Sequence, residues 1–125
     1  MPCRVLIMED VLDTARLFEM LLAANGFDVR VALDDGAARA VAPEFRPDVM
    51  LVDAEFGGVD GFALAAELRA QLRGPCKLIA LTGWTTPVFH EHARELGFSD
   101  YLFKPVRGPD LIACIEAVLE ARRTH

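Results

Sequence analysis

The sequence predicts an α/β fold: five βα units forming a doubly wound, parallel five-stranded sheet in the order 2-1-3-4-5. Three observations carry this. Short apolar runs alternate five times with helical stretches, and the connections suit right-handed crossovers between parallel strands. The runs around Val5, Val49 and Leu78 are apolar throughout, as strands covered on both faces must be, whereas those around Val29 and Tyr101 are less so and belong at the edges. Four of the five runs then stop abruptly at a polar residue, and the ligand crevice of such sheets lies at the carboxyl ends of the strands.

In chain order, Arg4-Val5-Leu6-Ile7-Met8 is the first strand, ended by Glu9-Asp10. A helix follows from Asp13 as N-cap to Asn25, with Leu17, Phe18, Leu21 and Leu22 at core-facing spacing. Asn25-Gly26 suits a left-handed stop. Asp28 to Ala32 alternates polar and apolar, as an edge strand does. Asp34-Asp35-Gly36 turns into a second helix with Ala37, Ala38, Val41, Ala42 and Phe45 on one stripe, which Pro43 should end early or kink. Val49-Met50-Leu51-Val52-Asp53 is the third strand, followed by a loop through Gly57-Gly58 to Gly61. Without a proline, that loop is expected to be loose.

The third helix spans about Phe62 to Gln71, with Leu64, Ala65, Leu68 and Leu72 inward, and Gly74-Pro75 ends it. Lys77 to Thr82 is the fourth sheet strand. Thr86 to Glu95 forms the least apolar helix. In it His90 and His92, two residues apart, do not face each other and read as surface residues rather than a metal pair. Asp100 to Phe103 is a short last strand ended by Lys104-Pro105. The final helix runs from near Pro109 to Arg122, with Leu111, Ile112, Ile115, Val118 and Leu119 on its apolar face.

Composition narrows the function. A chain of 125 residues suits one domain, residues 1–125, and 53% hydrophobic content is ample for a core. A net charge of −6 opposes nucleic-acid binding, which needs a basic face. No apolar run reaches the ~20 residues of a membrane span, and no signal peptide precedes Val5. Cys3, Cys76 and Cys114 have neither zinc-site spacing nor disulfide density. They read as small buried residues in a reducing compartment, which places the protein in the cytoplasm.

The chemistry lies at the strand ends. Glu9, Asp10, Asp53, Thr82 and Lys104 should converge on one crevice, and three adjacent carboxylates cannot all ionise unaided. A hard divalent cation such as Mg²⁺ resolves this, since it takes carboxylate and phosphate oxygens. An ammonium from Lys104 and a hydroxyl from Thr82 complete what phosphoryl transfer onto the Asp53 carboxylate requires.

At this point the sequence resembles a known family. Val5-Leu6-Ile7-Met8-Glu9-Asp10, Leu51-Val52-Asp53, Asp60-Gly61-Phe62, Ala80-Leu81-Thr82-Gly83 and Asp100-Tyr101-Leu102-Phe103-Lys104-Pro105 resemble, in order and over essentially the whole chain, the signatures of response-regulator receiver domains. The resemblance implies a flavodoxin/CheY-like fold in a two-component phosphorelay. Asp53 would then be the phosphoacceptor, loaded from the phosphohistidine of a histidine kinase or histidine phosphotransfer protein. Mg²⁺ (or Mn²⁺) would sit on Asp10 and Asp53, on Glu9 through water, and on the backbone carbonyl of Glu55. Lys104 would contact the phosphoryl group, with a cis bond to Pro105. Thr82 and Tyr101 would form a switch pair that alters partner binding on the face of the fourth helix, last strand and fifth helix. Glu55 and Trp84 stand at positions that tune acyl-phosphate lifetime, and Trp84 would shield the phosphoryl group from water.

The chain departs from the family where Phe56-Gly57 replaces the common Met-Pro and Gly83 replaces the commoner Ala. Such a domain is a signalling receiver rather than a turnover enzyme. It could stand alone or be a module of a hybrid kinase or larger regulator. A receiver fold used as an adaptor independent of phosphorylation is the main alternative. An aspartyl phosphohydrolase would carry its acids on one strand. An FMN carrier would need a phosphate-cradling loop where Glu9-Asp10-Val11 stands.

Overall fold

The computed structural model describes residues 2–83 and 87–123. Five parallel strands, β1 (Arg4–Met8), β2 (Asp28–Ala32), β3 (Val49–Asp53), β6 (Lys77–Thr82) and β7 (Asp100–Phe103), form one sheet in the order β2-β1-β3-β6-β7. Counted along the sheet strands alone, this is the order 2-1-3-4-5. Alternate strand residues serve two cores. Leu6, Met8, Met50, Val52, Leu78 and Ala80 face α2 (Asp35–Phe45), α3 (Gly61–Gln71) and α4 (Pro87–Glu95). Val5, Ile7, Val49, Leu51, Ile79 and Leu81 face α1 (Leu12–Ala24) and α5 (Gly108–Arg123). Strands apolar at every position are those buried on both faces. Val49 to Asp53 is buried without a break.

Four local expectations are corrected. The cap of α1 is Val11, with no side-chain cap bond, and Asp13 lies in the first turn. The Val11 N–H instead donates to Glu9 Oε1 at 3.1 Å, so the carboxylate that ends β1 also opens α1. Leu17 faces solvent, and Ala15, Phe18 and Leu22 carry the buried stripe of that helix. Pro43 neither ends nor shortens α2, which continues to Phe45. This late in the helix the missing N–H removes a single bond, and burial of Ala42 and Phe45 outweighs it. The helix ends at Arg46, in the left-handed region at φ 52°, whose N–H donates to Ala42 O.

The fourth correction concerns the segment after Asp53. It forms an antiparallel hairpin of β4 (Glu55–Phe56) and β5 (Val59–Asp60), turned by Gly57 and Gly58 at φ 58° and 83°. Two consecutive positive φ values are what a tight two-residue hairpin turn demands, and glycine meets them without strain. Phe56 is fully buried beneath the hairpin. Asp60 closes the ribbon and caps α3, its Oδ1 accepting from the N–H groups of Phe62 and Ala63 at 3.1 Å each.

Candidate functional site

Four chain segments meet at the carboxyl end of the sheet because β1, β3, β6 and β7 end there. Glu9 and Asp10 follow β1, Asp53 closes β3, Thr82 closes β6, and Lys104 follows β7. Backbone bonds stitch these ends together: Ala54 N donates to Leu81 O at 3.0 Å and Lys104 N to Thr82 O at 2.9 Å. The Lys104-Pro105 peptide is cis.

Glu9, Asp10 and Asp53 each bring a carboxylate oxygen within 4.8 Å of the others. Glu9 and Asp53 are buried, and Asp10 is exposed at the rim. Lys104 Nζ lies 3.0 Å from Asp53 Oδ1 and 3.6 Å from Glu9 Oε2, so one ammonium answers two buried acids. Asp53 Oδ1 also accepts from Glu55 N at 3.2 Å, which aims the carboxylate. Beside it opens a cleft of about 350 Å³ lined by Asp53, Ala54, Glu55, Gly83 and Lys104.

The electrostatics follow from this crowding. Burial pushes the Glu9 pKa up, the Val11 N–H pulls it back, and the Asp53 charge raises it again, leaving it at about 7. Burial would depress Lys104, but its hydrogen bond and attraction to Asp53, with help from Glu9, hold it above its ordinary value. Among the described residues Glu9 Oε2 is buried without a hydrogen-bond partner. A buried carboxylate oxygen with no hydrogen bond and an ammonium no nearer than 3.6 Å, beside two further acids and a rim open to solvent, fits a hard oxygen-seeking cation. The three acids of this chain therefore suit Mg²⁺.

Thr82 is buried at the end of β6, whereas Tyr101 points outward and is 38% exposed. Glu55 is exposed at the cleft wall. Trp84, and with it the predicted start of the fourth helix at Thr86, lies outside the described residues. His90 is half-buried. Its ring stacks on Tyr101 with centroids 4.2 Å apart. His92 Nε2 reaches Asp60 Oδ2 at 3.1 Å, tying α4 to the start of α3.

The structure also gives Gly61 a role that the resemblance alone left unexplained. A β-carbon there would collide with the Asp53 carbonyl oxygen and press on Phe56 Cβ at 3.1 Å. Both neighbours are held by sheet or hairpin backbone and cannot yield cheaply. Gly61→Ala is expected to destabilise the fold by about 1–3 kcal/mol and to shift the Asp53 backbone. Chemical denaturation together with metal titration would register both effects.

Residues 5–116 match the response regulator receiver domain family. The chain belongs to that family. Among curated relatives, the receiver is 32% identical over 116 residues to the DNA-binding response regulator MtrA of Mycolicibacterium paratuberculosis, covering 93% of this chain and 51% of the relative. MtrA of Mycobacterium leprae matches to the same extent. The chain thus spans about half the length of the curated relatives it matches. The CheY-like receiver domain protein of Methanospirillum hungatei superposes with a TM-score of 0.91 over 99% of this chain and 98% of its own, at 22% identity, a likeness of fold. A response regulator from Chloroflexus aurantiacus superposes with a TM-score of 0.83 at 26% identity, over 96% and 99% of the two chains. Among the described residues of the receiver, no helix is long and apolar enough to cross a membrane.

The buried acid of the receiver gives its metal-free form a distinctive pH response. The Glu9 pKa of about 7 stands above the 4.5 of an unperturbed glutamate, so the folded state holds a proton there that the unfolded chain has lost. Stability from that proton is fully present below about pH 4.5 and is lost as pH rises through about 7. In chelator, the Glu9 contribution is expected to fall by on the order of 2–3 kcal/mol across this window. Glu9→Gln, uncharged at any pH, should flatten the fall, as denaturant midpoints measured from pH 5 to 8 would show.

Proposed function

We propose that this receiver takes a phosphoryl group from a phosphohistidine onto Asp53 and signals its arrival through Thr82 and Tyr101. The observation that carries this reading is the Lys104 ammonium 3.0 Å from Asp53 Oδ1, beside an open cleft and a three-carboxylate cluster. In the transfer, an Asp53 carboxylate oxygen attacks phosphorus in line. The P–N bond to the histidine breaks, its electron pair returns to the imidazole, and an acyl phosphate forms. No general base is needed, because the carboxylate attacks as the anion. Lys104 remains beside the acquired charge, and Glu55 N, which now holds Oδ1, keeps the carboxylate aimed.

Asp10, Asp53 and the backbone carbonyl of Glu55 would hold Mg²⁺ (or Mn²⁺), with Glu9 supporting from its buried position. Bound there, the ion would supply positive charge to offset that of the transferring phosphoryl group. Thr82, on the strand next to Asp53, would turn its hydroxyl to the phosphoryl group. Tyr101 would then rotate in behind it and change the surface formed by α4, β7 and α5.

The donor on this reading is a histidine kinase or histidine phosphotransfer protein, and the partner of the changed surface is another protein. The net charge of −6 disfavours nucleic-acid binding by these residues themselves. The relatives named DNA-binding share this half of their length. Residues 1–125 act as a single cytoplasmic receiver, and the cycle of gaining and losing the phosphoryl group is signalling rather than turnover of a substrate. Incubation with acetyl phosphate and Mg²⁺ should add one phosphoryl group to the intact mass, and a chelator should suppress it. No adduct, with no binding of beryllofluoride either, would favour a phosphorylation-independent adaptor.

A further inference from the structure

Thr82 on β6, Tyr101 on β7 and His90 on α4 line one narrow void, closed by Phe62, Ala80 and Ala93, with no room for a water molecule. The His90 imidazole stacks on the Tyr101 ring at 4.2 Å and 22°, and lies 5.4 Å from Phe103. Its Nε2 is buried and has no hydrogen-bond partner among the described residues. An aliphatic side chain would pack this position without leaving a polar nitrogen unsatisfied, which costs about 1–3 kcal/mol. The void is also too tight to take the Tyr101 ring while the imidazole occupies its wall.

We propose that His90 is a positioning residue of the switch: its neutral ring backs the void beside Thr82 and holds Tyr101 outward, and protonation expels it so that Tyr101 can turn in. The inference rests on the reading of Thr82 and Tyr101 as the switch pair. An imidazolium carries N–H donors at both nitrogens, and Nε2, buried as it stands, makes no hydrogen bond that would hold a charged ring there. Outside, the environment differs. His90 borders an open groove of about 390 Å³ that includes Glu91 and Arg94 of α4 and Asp100 of β7. Glu91 offers an exposed carboxylate there. Asp100 is already engaged, its Oδ1 accepting from Tyr101 N at 2.8 Å and its Oδ2 from Cys114 Sγ at 3.5 Å. Arg94 opposes the imidazolium, so among the described residues of the groove Glu91 is the carboxylate left to receive it. Among the described residues, the sheet and α3 present Phe62, Ala80, Thr82 and Tyr101 to the void, which adds no charge near neutrality. Acid should therefore bias the unphosphorylated receiver toward the inward Tyr101.

The chain contains a single tyrosine, so ring-labelled tyrosine reports Tyr101 alone. The test follows broadening of its NMR signals by a soluble paramagnet, without phosphoryl donor or metal, from about pH 8 to 5.5. The wild type should lose broadening as pH falls. His90→Phe and His90→Gln should abolish the dependence. His92→Gln, which removes the neighbouring histidine paired to Asp60, should leave it intact. Unchanged broadening in the wild type, or a dependence that survives both His90 variants, overturns the proposal. Beryllofluoride with Mg²⁺ at about pH 8 separates the two levels. Loss of broadening there, without a pH response, sinks the His90 role and leaves the switch pair standing. No response to either sinks both.

Discussion

Asp53→Asn is expected to take up no phosphoryl group from acetyl phosphate at any Mg²⁺ concentration, a complete loss against stoichiometric labelling of the wild type. The amide is isosteric and keeps the oxygen that Lys104 and Glu55 N engage, so the fold should survive. What disappears is the anionic nucleophile, and no other acid can replace it. Glu9 is sealed inside with its Oε1 committed to Val11 N, and Asp10 stands at the rim away from the Lys104 ammonium contacts. The variant should also relieve crowding. Glu9 owes its raised pKa first to burial and then to the Asp53 charge, so removing that charge lets it ionise more readily. Denaturant unfolding near pH 7 should accordingly show Asp53→Asn as stable as the wild type or more so.

Asp10→Asn carries the second large effect, on metal dependence rather than on the nucleophile. Asp10 is the exposed member of the three-acid cluster, so it offers the charge that is least costly to bring to a cation. Loss of that carboxylate leaves Glu9, which prefers a proton near neutrality, and Asp53, which already faces Lys104. Phosphoryl uptake at fixed Mg²⁺ is expected to slow by roughly 10²-fold, the scale for removing one charge-stabilising group from a transition state. Raising the Mg²⁺ concentration should recover part of the loss. A rate equal to the wild type, with an unchanged metal requirement, would show that Asp10 is not a ligand.

The sheet was legible in the sequence because burial on both faces writes itself as an unbroken apolar run. Val5 to Met8, Val49 to Val52 and Leu78 to Leu81 could hardly be anything else. The site was legible for a related reason: Glu9-Asp10, Asp53 and Thr82 end such runs, Lys104 ends the edge strand beside them, and the order of strands brings those ends together. What escaped is governed by tertiary contacts that leave no period. β4 and β5 have two residues each, too few for alternation to register, and a glycine pair suggests slack where both residues in fact meet the backbone demand of a tight turn. Pro43 opposes the helix on local grounds, while the packing of Ala42 and Phe45 decides the outcome. Leu17 shares the helical spacing of its buried neighbours but lies beyond the edge of the covered stripe. His90 sits in the most polar helix, and nothing in its neighbours along the chain shows that Tyr101 would lie against it.

The most direct test of the account is chemical trapping of the acyl phosphate. Hydride reduction of the phosphorylated receiver, followed by peptide mass mapping, converts a phosphorylated aspartate to homoserine at its own position. Homoserine is expected at residue 53 and nowhere else, with Asp10 and Asp60 recovered unchanged. Homoserine at another aspartate, or an unmodified residue 53 in a receiver that has gained a phosphoryl group, would contradict it.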